Sequence, residues 1–439
     1  MLRSVVVSLL VVSPLLAQPT FHKDVEPIMQ AKCQQCHRPN DIAPFALLTY
    51  NDVSTYASDI RVQVGNHVMP PWKPVAGYGN FRNSYALTDA ERQTILDWVA
   101  GGAVEGDPAD APPALPVNDS PWQLGQPDIL LNLPQYSPSA MAPDTYRCFS
   151  MPSGMTSDVY LNASQALPGA PQEVHHILIF MDETGESAKY EGQDGNPGYD
   201  CFGSVGLQSL GVGDYLGAWV PGARVQPLDS GIGLLLKANS RIVVQVHYHP
   251  SGRPSADQTS LGFYLAPAGS VQHRMLAIPI VNTGFTIPAN NSAYPVQASL
   301  TIPSLGFPIT GKIIQVGPHM HLLGRQIEMD LVHADTSSTP LILIDNWDFN
   351  WQSMYTFTDS IPFKSGDSVV VSSVYDNSDG NPNNPNNPIV PVSWGEGTTD
   401  EMIVGYTGVI LDQEILASLF LEKVKKLVPP SPTHRKLQH

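Results

Sequence analysis

Four cysteines among 439 residues are too few for a disulfide-scaffolded protein. Basic residues are scarce as well: 23 Lys and Arg face 40 Asp and Glu, for a formal net charge of −17. A chain without a cationic footprint is excluded as a nucleic-acid binder and is poorly suited to an anionic membrane surface. Charged residues make up only 14% of the chain, and helical periodicity is nearly absent over its long middle part, which excludes a coiled coil. No repeat of fixed period is present. What abounds is 41 Pro and 35 Gly beside 42% hydrophobic residues, the profile of a turn-rich globular chain of two or three domains.

The N-terminus reads as a secretory signal over residues 1–17. Arg3 supplies the positive region, Val5 to Leu16 the apolar one, and Pro14 precedes a cleavable Leu15-Leu16-Ala17. The apolar run is too short for a comfortable membrane span, so no span is expected in the mature chain. No Cys follows the cut, so a lipid anchor is not indicated, and the expected location is periplasmic or secreted. Residues 18–104 are bracketed by two helices. Thr20 can cap one bearing Phe21, Val25, Ile28 and Met29 on one face, while Thr88 and Glu91 form a capping box for one carrying Ile95, Trp98 and Val99. The stretch between them reads as loop-rich. Residues 105–121, rich in Pro, Ala and Asp, read as an extended linker.

Beyond the linker the pattern turns to short β-branched runs punctuated by Pro, Gly, Asn and Asp. Examples are His176 to Met181, Arg241 to His249, Lys312 to Val316 and Ser368 to Tyr375. The fold class expected is a small all-α domain followed by two all-β sandwich domains, 122–283 and 284–412. Asn377 to Pro391 reads as an irregular surface loop. Residues 413–439 read as a C-terminal helix and a polar tail.

Cys33-Gln34-Gln35-Cys36-His37 is the attachment pattern of a c-type haem, in which two thiols bond the vinyl groups and the adjacent imidazole ligates iron. A CxxC alone also suits a redox dithiol or half a zinc site, but here the following His, the export signal and the flanking helices agree. Met69, before Pro70-Pro71, is the sixth-ligand candidate and His67 its rival. As a whole, residues 18–104 resemble a small cytochrome c domain.

Three histidine pairs stand out in the β-rich part: His175-His176, His247-x-His249 and His319-x-His321. Residues i and i+2 of a strand share a face, so His319 with His321, or His247 with His249, can chelate one ion. His175 and His176 face opposite ways on a regular strand, so joint ligation there requires a bulge or a strand end. The residues alone define one or two His-rich metal sites.

In order, the runs Asp144-Thr145-Tyr146-Arg147-Cys148-Phe149-Ser150-Met151-Pro152, Val174-His175-His176-Ile177-Leu178-Ile179-Phe180, Gln245-Val246-His247-Tyr248, His319-Met320-His321-Leu322-Leu323-Gly324 and Thr399-Asp400-Glu401-Met402 resemble the copper type II, ascorbate-dependent monooxygenases. The resemblance covers about residues 127 to 412. It implies two jelly-roll-like sandwiches carrying one copper each across a solvent-filled cleft. An electron-transfer copper would sit on His175, His176 and His247, and an oxygen-binding copper on His319, His321 and Met402. It also implies a Cys148–Cys201 disulfide and a substrate-contacting Tyr406, whereas His249 matches none of the family's ligands. Two departures concern substrate: Gly317 stands where peptide-amidating members carry a basic side chain, and Val404 where they carry Asn.

Taken together, the sequence points to an exported haem- and copper-dependent monooxygenase that hydroxylates a C–H bond of a small organic substrate with O₂. The fused cytochrome would supply electrons taken from an external one-electron donor. The alternative is a haem–copper electron-transfer or copper-binding protein without hydroxylase chemistry.

Overall fold

The computed structural model describes residues 18–39, 41–82, 84–115, 120–139, 144–202, 205, 212–249, 252 and 255–428. The proposed signal segment 1–17, part of the linker and the tail from 429 lie outside the described residues. Among the described residues, no helix is long and apolar enough to cross a membrane. The chain divides into two compact units, one from residues 1–72 and 84–117, the other from 73–83 and 118–439.

The first unit is helical. A π-helical turn, Phe21–Val25, leads into α1 (Glu26–Lys32), followed by α2 (Tyr50–Thr55), α3 (Ala57–Gly65) and α4 (Asp89–Ala100). The Thr88/Glu91 capping box is formed, with the Glu91 N–H on the Thr88 hydroxyl at 3.2 Å and the Thr88 N–H on the Glu91 carboxylate at 2.7 Å. At the first helix the expected cap is replaced: Thr20 makes no side-chain cap, and its own N–H donates to the Asp24 carboxylate at 2.8 Å. The stretch expected as loop contains α2 and α3, started by a second capping box of Thr49 and Asp52. Phe21, Val25, Val53, Ile95 and Trp98 are fully buried together. Burial of side chains this size contributes roughly 1.5–3 kcal/mol each. Residues 105–115 do not trail away as free linker: the Gln30 amide donates to the Pro113 carbonyl at 3.2 Å, and the His22 N–H to the Glu105 carbonyl at 3.1 Å.

The second unit holds four large antiparallel-rich sheets. In the first half, one sheet runs Ile129–Asn132, Ser260–Leu265, Val159–Leu167, Ile232–Leu236 and His273–Arg274. Its partner runs Tyr199–Asp200, Thr145–Pro152, Arg241–Tyr248, Val174–Asp182 and Tyr215–Trp219. Alternation along these strands sends Leu161, Leu234 and Phe263 from one sheet and Phe149, Ile177 and Val244 from the other into a shared core. In the second half, Leu276–Val281, Val404–Leu411, Thr310–His319 and Tyr355–Lys364 form one sheet. Asn291–Thr301, Ser368–Asn377, Gly324–Val332 and Ser338–Ile344 form the other. Ile314 and Ile410 from the second half also join the core cluster of the first, so the halves pack together.

Residues 73–82, expected within the N-terminal domain, belong to the β unit. Phe81 bridges Phe357, the Val75 N–H donates to the Leu343 carbonyl at 2.8 Å, and Arg82 pairs with Asp229 at 2.9 Å. Burial of the Phe81 ring against Phe357 and Tyr355 gives the physical reason.

Cys148 and Cys201 are joined, with Cα atoms 5.8 Å apart and 53 residues between them in sequence. Closing a loop of that length removes chain entropy worth about 4 kcal/mol from the unfolded state. A Cys148→Ser/Cys201→Ser variant is expected to unfold in urea with stability lower by about that amount. A loss below about 1 kcal/mol would show that the crosslink contributes little to the β unit.

Candidate functional site

The first histidine cluster is built on two neighbouring strands. The Val174–Asp182 strand pairs with Arg241–Tyr248, and the register shifts between Val174 and His176. That bulge brings both adjacent imidazoles to one side, where a regular strand would separate them. His247, opposite His176 in the ladder, completes the group. The Nδ1 atoms of His175 and His247 stand 3.3 and 3.4 Å from Nδ1 of His176. Imidazole nitrogens held tetrahedrally about 2.0–2.1 Å from an ion lie about 3.3–3.4 Å apart, so these two spacings suit a shared metal, and one ligand atom from each of the three rings lies within 4.8 Å of the others. Three converging lone pairs without a cation repel one another, and a shared proton relieves only one contact.

The far side of the cluster is also determined. Nε2 of His247 is buried 3.4 Å from the Asp144 carboxylate, outside hydrogen-bonding geometry. Asp144 takes a 2.7 Å contact from exposed His249 and a 3.3 Å N–H from Thr398. Burial alone would raise the Asp144 carboxyl. The nearby His247 ring and the contacts from Thr398 and His249 overcome that and hold it well below the usual carboxylate range. His249 therefore stands apart from the cluster, acting on Asp144 behind His247. Tyr146 stacks on His247 with ring centroids 4.1 Å apart, and its hydroxyl donates to the Glu396 carbonyl at 2.6 Å.

The second cluster lies at the end of the Thr310–His319 strand. His319 and His321 share a side, with ring centroids 5.0 Å apart. Nδ1 of His319 contacts the Gln352 side-chain oxygen at 2.5 Å, and Nδ1 of His321 the Asp400 carbonyl at 3.0 Å. Each ring must donate there, which leaves both Nε2 atoms as acceptors for a metal. Met402 and Tyr406 line the same cavity as these two histidines. Glu401, fully buried, accepts N–H bonds from His321 at 3.0 Å, Leu323 at 2.6 Å and Met402 at 3.2 Å. Its carboxylate thereby ties the His-x-His turn to the Met402 segment.

One loop, residues 345–354, supports this cluster. The Trp347 indole donates to the His321 carbonyl at 3.1 Å, Gln352 holds His319, and Phe349 stacks on His175 at 4.7 Å while meeting His321 edge-on at 5.6 Å. Phe349 thus touches one ring of each cluster. A Cβ on Gly317 would overlap the Met354 sulfur, so Met354 fills the space above that glycine. Sequence reasoning passed over this loop, and its aromatic density (Trp347, Phe349, Trp351) is the signal that marks it.

Residues 274–409 match the family model of the copper type II ascorbate-dependent monooxygenase, C-terminal domain. The matched segment contains His319, His321, Met402 and Tyr406, while the His175/His176/His247 cluster lies outside it. No curated protein matches the chain. Among solved structures, it is similar at 11% identity and a TM-score of 0.24 to a chain of the Sulfolobus Turreted Icosahedral Virus structure, over 67% of this chain and 94% of that one. It is also similar at 10% identity and a TM-score of 0.16 to a chain of infectious bursal disease virus Gt strain, over 67% and 83%. Likenesses this distant carry no argument about fold or function.

In the helical unit, the Cys33-x-x-Cys36-His37 turn follows α1, both thiols are free and half-buried, and burial pushes Cys33 up to about 12. Nδ1 of His37 contacts the Phe45 carbonyl at 3.2 Å and must donate to it, leaving Nε2 as an acceptor. Met69 is 37% exposed on the loop after α3, beside exposed His67, whose φ of 58° is left-handed.

Burial lowers the pKa of all five cluster histidines. His175 is held down to about 3, first by burial and then by neighbouring His247. Burial pushes Glu401 the other way, up to about 8. Metal-free protein should therefore lose stability as pH falls below about 6.5, because the unfolded chain takes up protons that the buried rings refuse. His175 contributes at most about 1.4 kcal/mol per pH unit. The Glu401 contribution has the opposite sign, lost as pH rises from about 4.5 through about 8, and one carboxyl does not offset five rings. Thermal melts of metal-free protein from pH 7 to pH 4 should show a falling midpoint, with a shallower fall in His175→Gln. A flat midpoint would contradict neutral, buried imidazoles.

Proposed function

We propose that the protein is a haem- and copper-dependent monooxygenase that hydroxylates a C–H bond of a small organic substrate. The observation that carries this reading is the convergence of three imidazole Nδ1 atoms in the same compact unit as two imidazoles whose Nε2 atoms are left as acceptors and which line one cavity with Met402. A copper-dependent family match over the second group agrees with it. His175, His176 and His247 would hold the electron-transfer copper, and His319, His321 and Met402 the oxygen-binding copper. A set with a soft thioether favours Cu(I), the state that meets O₂. In the helical unit, Cys33 and Cys36 would bind haem c through thioethers. His37 would ligate its iron, and Met69 or His67 would supply a second protein ligand.

When bound, these groups supply one-electron transfer and O₂ chemistry; the overall reaction converts C–H, O₂, two electrons and two protons into C–OH and water. The remaining tasks fall to side chains. Asp144 orients His247, Gln352 and the Asp400 carbonyl orient the second pair, and Glu401 keeps Met402 in register with His321. Tyr406, on the cavity wall, would position substrate. An external one-electron donor would reduce the helical unit, and export to the periplasm or beyond would permit both haem attachment and the disulfide.

Protein exported with haem maturation should contain two copper ions and one haem per chain and consume O₂ only with substrate. Met402→Ala should lower that consumption at least 100-fold while leaving haem absorbance and the triad copper in place. Full turnover in this variant would refute the assignment. Reversible haem redox with no product from any substrate would make the protein a carrier instead. Anaerobically reduced protein mixed with O₂ should reoxidise its haem rapidly only when copper is loaded. Copper-independent reoxidation would remove the helical unit from the electron path.

A further inference from the structure

The wall beside the second histidine pair can be read row by row from the sheet register. His319 pairs with Val404, and Val404 with Val281; Gly317 pairs with Tyr406, and Tyr406 with Pro279; Gln315 pairs with Gly408, and Gly408 with Ala277. His319, Val404 and Val281, Gly317, Tyr406 and Pro279, and Gln315 and Ala277 all line one cavity of about 840 Å³. That size falls among cavities that enclose small organic ligands, about 300–1,000 Å³. The row nearest the histidine is therefore valine on valine. In the next row Met354 covers the glycine with its sulfur, so that position presents a thioether to the cavity. Tyr215 from the first half stacks over Tyr406 at 6.3 Å. The polar groups on these rows are uncharged: the His319 imidazole, the Tyr406 hydroxyl, the hydroxyl of Thr356, which pairs with Gln315, and the Gln315 amide, which already contacts the Met275 sulfur at 3.1 Å. The charged side chains on the described wall, Arg224, Glu396 and Lys425, come from other elements, and Lys425 is paired with Asp214 at 3.2 Å.

We propose that this face binds an uncharged, largely apolar organic molecule, and that Met354 over Gly317, together with Val404, determines that preference. Burying a carboxylate or ammonium against these sheet rows would cost several kcal/mol, since the rows themselves carry no Asp, Glu, Lys or Arg, whereas apolar carbon gains on entry. The inference rests on reading this cavity as the substrate site of the proposed monooxygenase, but it concerns binding and does not require a bound metal.

The test uses the metal-free full chain and two fluorescent probes of similar bulk, neutral N-phenyl-1-naphthylamine and the carboxylate dansylglycine. The neutral probe should bind once per chain and at least tenfold tighter than the carboxylate. Val404→Trp, which pushes a large ring into the valine row, should weaken its binding at least tenfold, and Met354→Lys should shift the preference at least tenfold toward dansylglycine. Equal or tighter binding of dansylglycine by the unaltered chain would overturn the proposal. So would neutral-probe affinity unchanged by Val404→Trp, since the probe would then lie away from the valine row. If one variant fails to fold, the other still decides, and the comparison of the two probes on the unaltered chain needs neither. Failure here leaves the copper assignment to the Met402→Ala result, and failure of that assignment leaves the probe result standing.

Discussion

An imidazole has two nitrogens, and a metal can use one only if something else settles the other. Most of the site's architecture follows from that constraint. Gln352 and the Asp400 carbonyl take the Nδ1 protons of His319 and His321 and leave Nε2 of each available. At the first cluster the choice is reversed: Nδ1 atoms converge, and Asp144 lies behind His247. The same rule recurs at His37, whose Nδ1 is taken by the Phe45 carbonyl.

Holding five neutral rings in dry surroundings demands a rigid frame, which the sheets supply. The bulge at His175 turns an awkward adjacent pair into a convergent one. Glu401 crosslinks backbone by accepting three N–H groups, a task no apolar residue performs. The loop carrying Trp347, Phe349, Gln352 and Met354 then serves both clusters. One ring meets His175 and His321, one amide orients His319, and one thioether occupies the space over Gly317.

The clustered histidines were legible because imidazole pairs in a chain with few charges have little other reason to recur. The strands were legible from their β-branched runs, and the need for a bulge followed from strand periodicity alone. The supporting groups were not. Gln352 and Trp347 act through contacts set by the fold, and Asp400 acts through its carbonyl, which leaves no residue-type signal. α2 and α3 were missed because Val and Thr weaken helical periodicity, although Thr49 with Asp52 carries the cap that announces them. Thr20 stands at the N-cap position, but its side chain caps no helical N–H, and only its own N–H is taken, by Asp24.

The segment 73–82 has a consequence for how such a protein is assembled from parts. The chain passes between its two units three times, at residues 72, 83 and 117, so the helical unit is not a bead threaded before the β unit. A single splice upstream of residue 118 would carry away Phe81 from Phe357 and Arg82 from Asp229 along with the helices. Gene fusion at one junction cannot exchange this helical unit for another. A replacement must bring its own edge segment to lie along the Tyr355–Lys364 strand, or leave that edge bare.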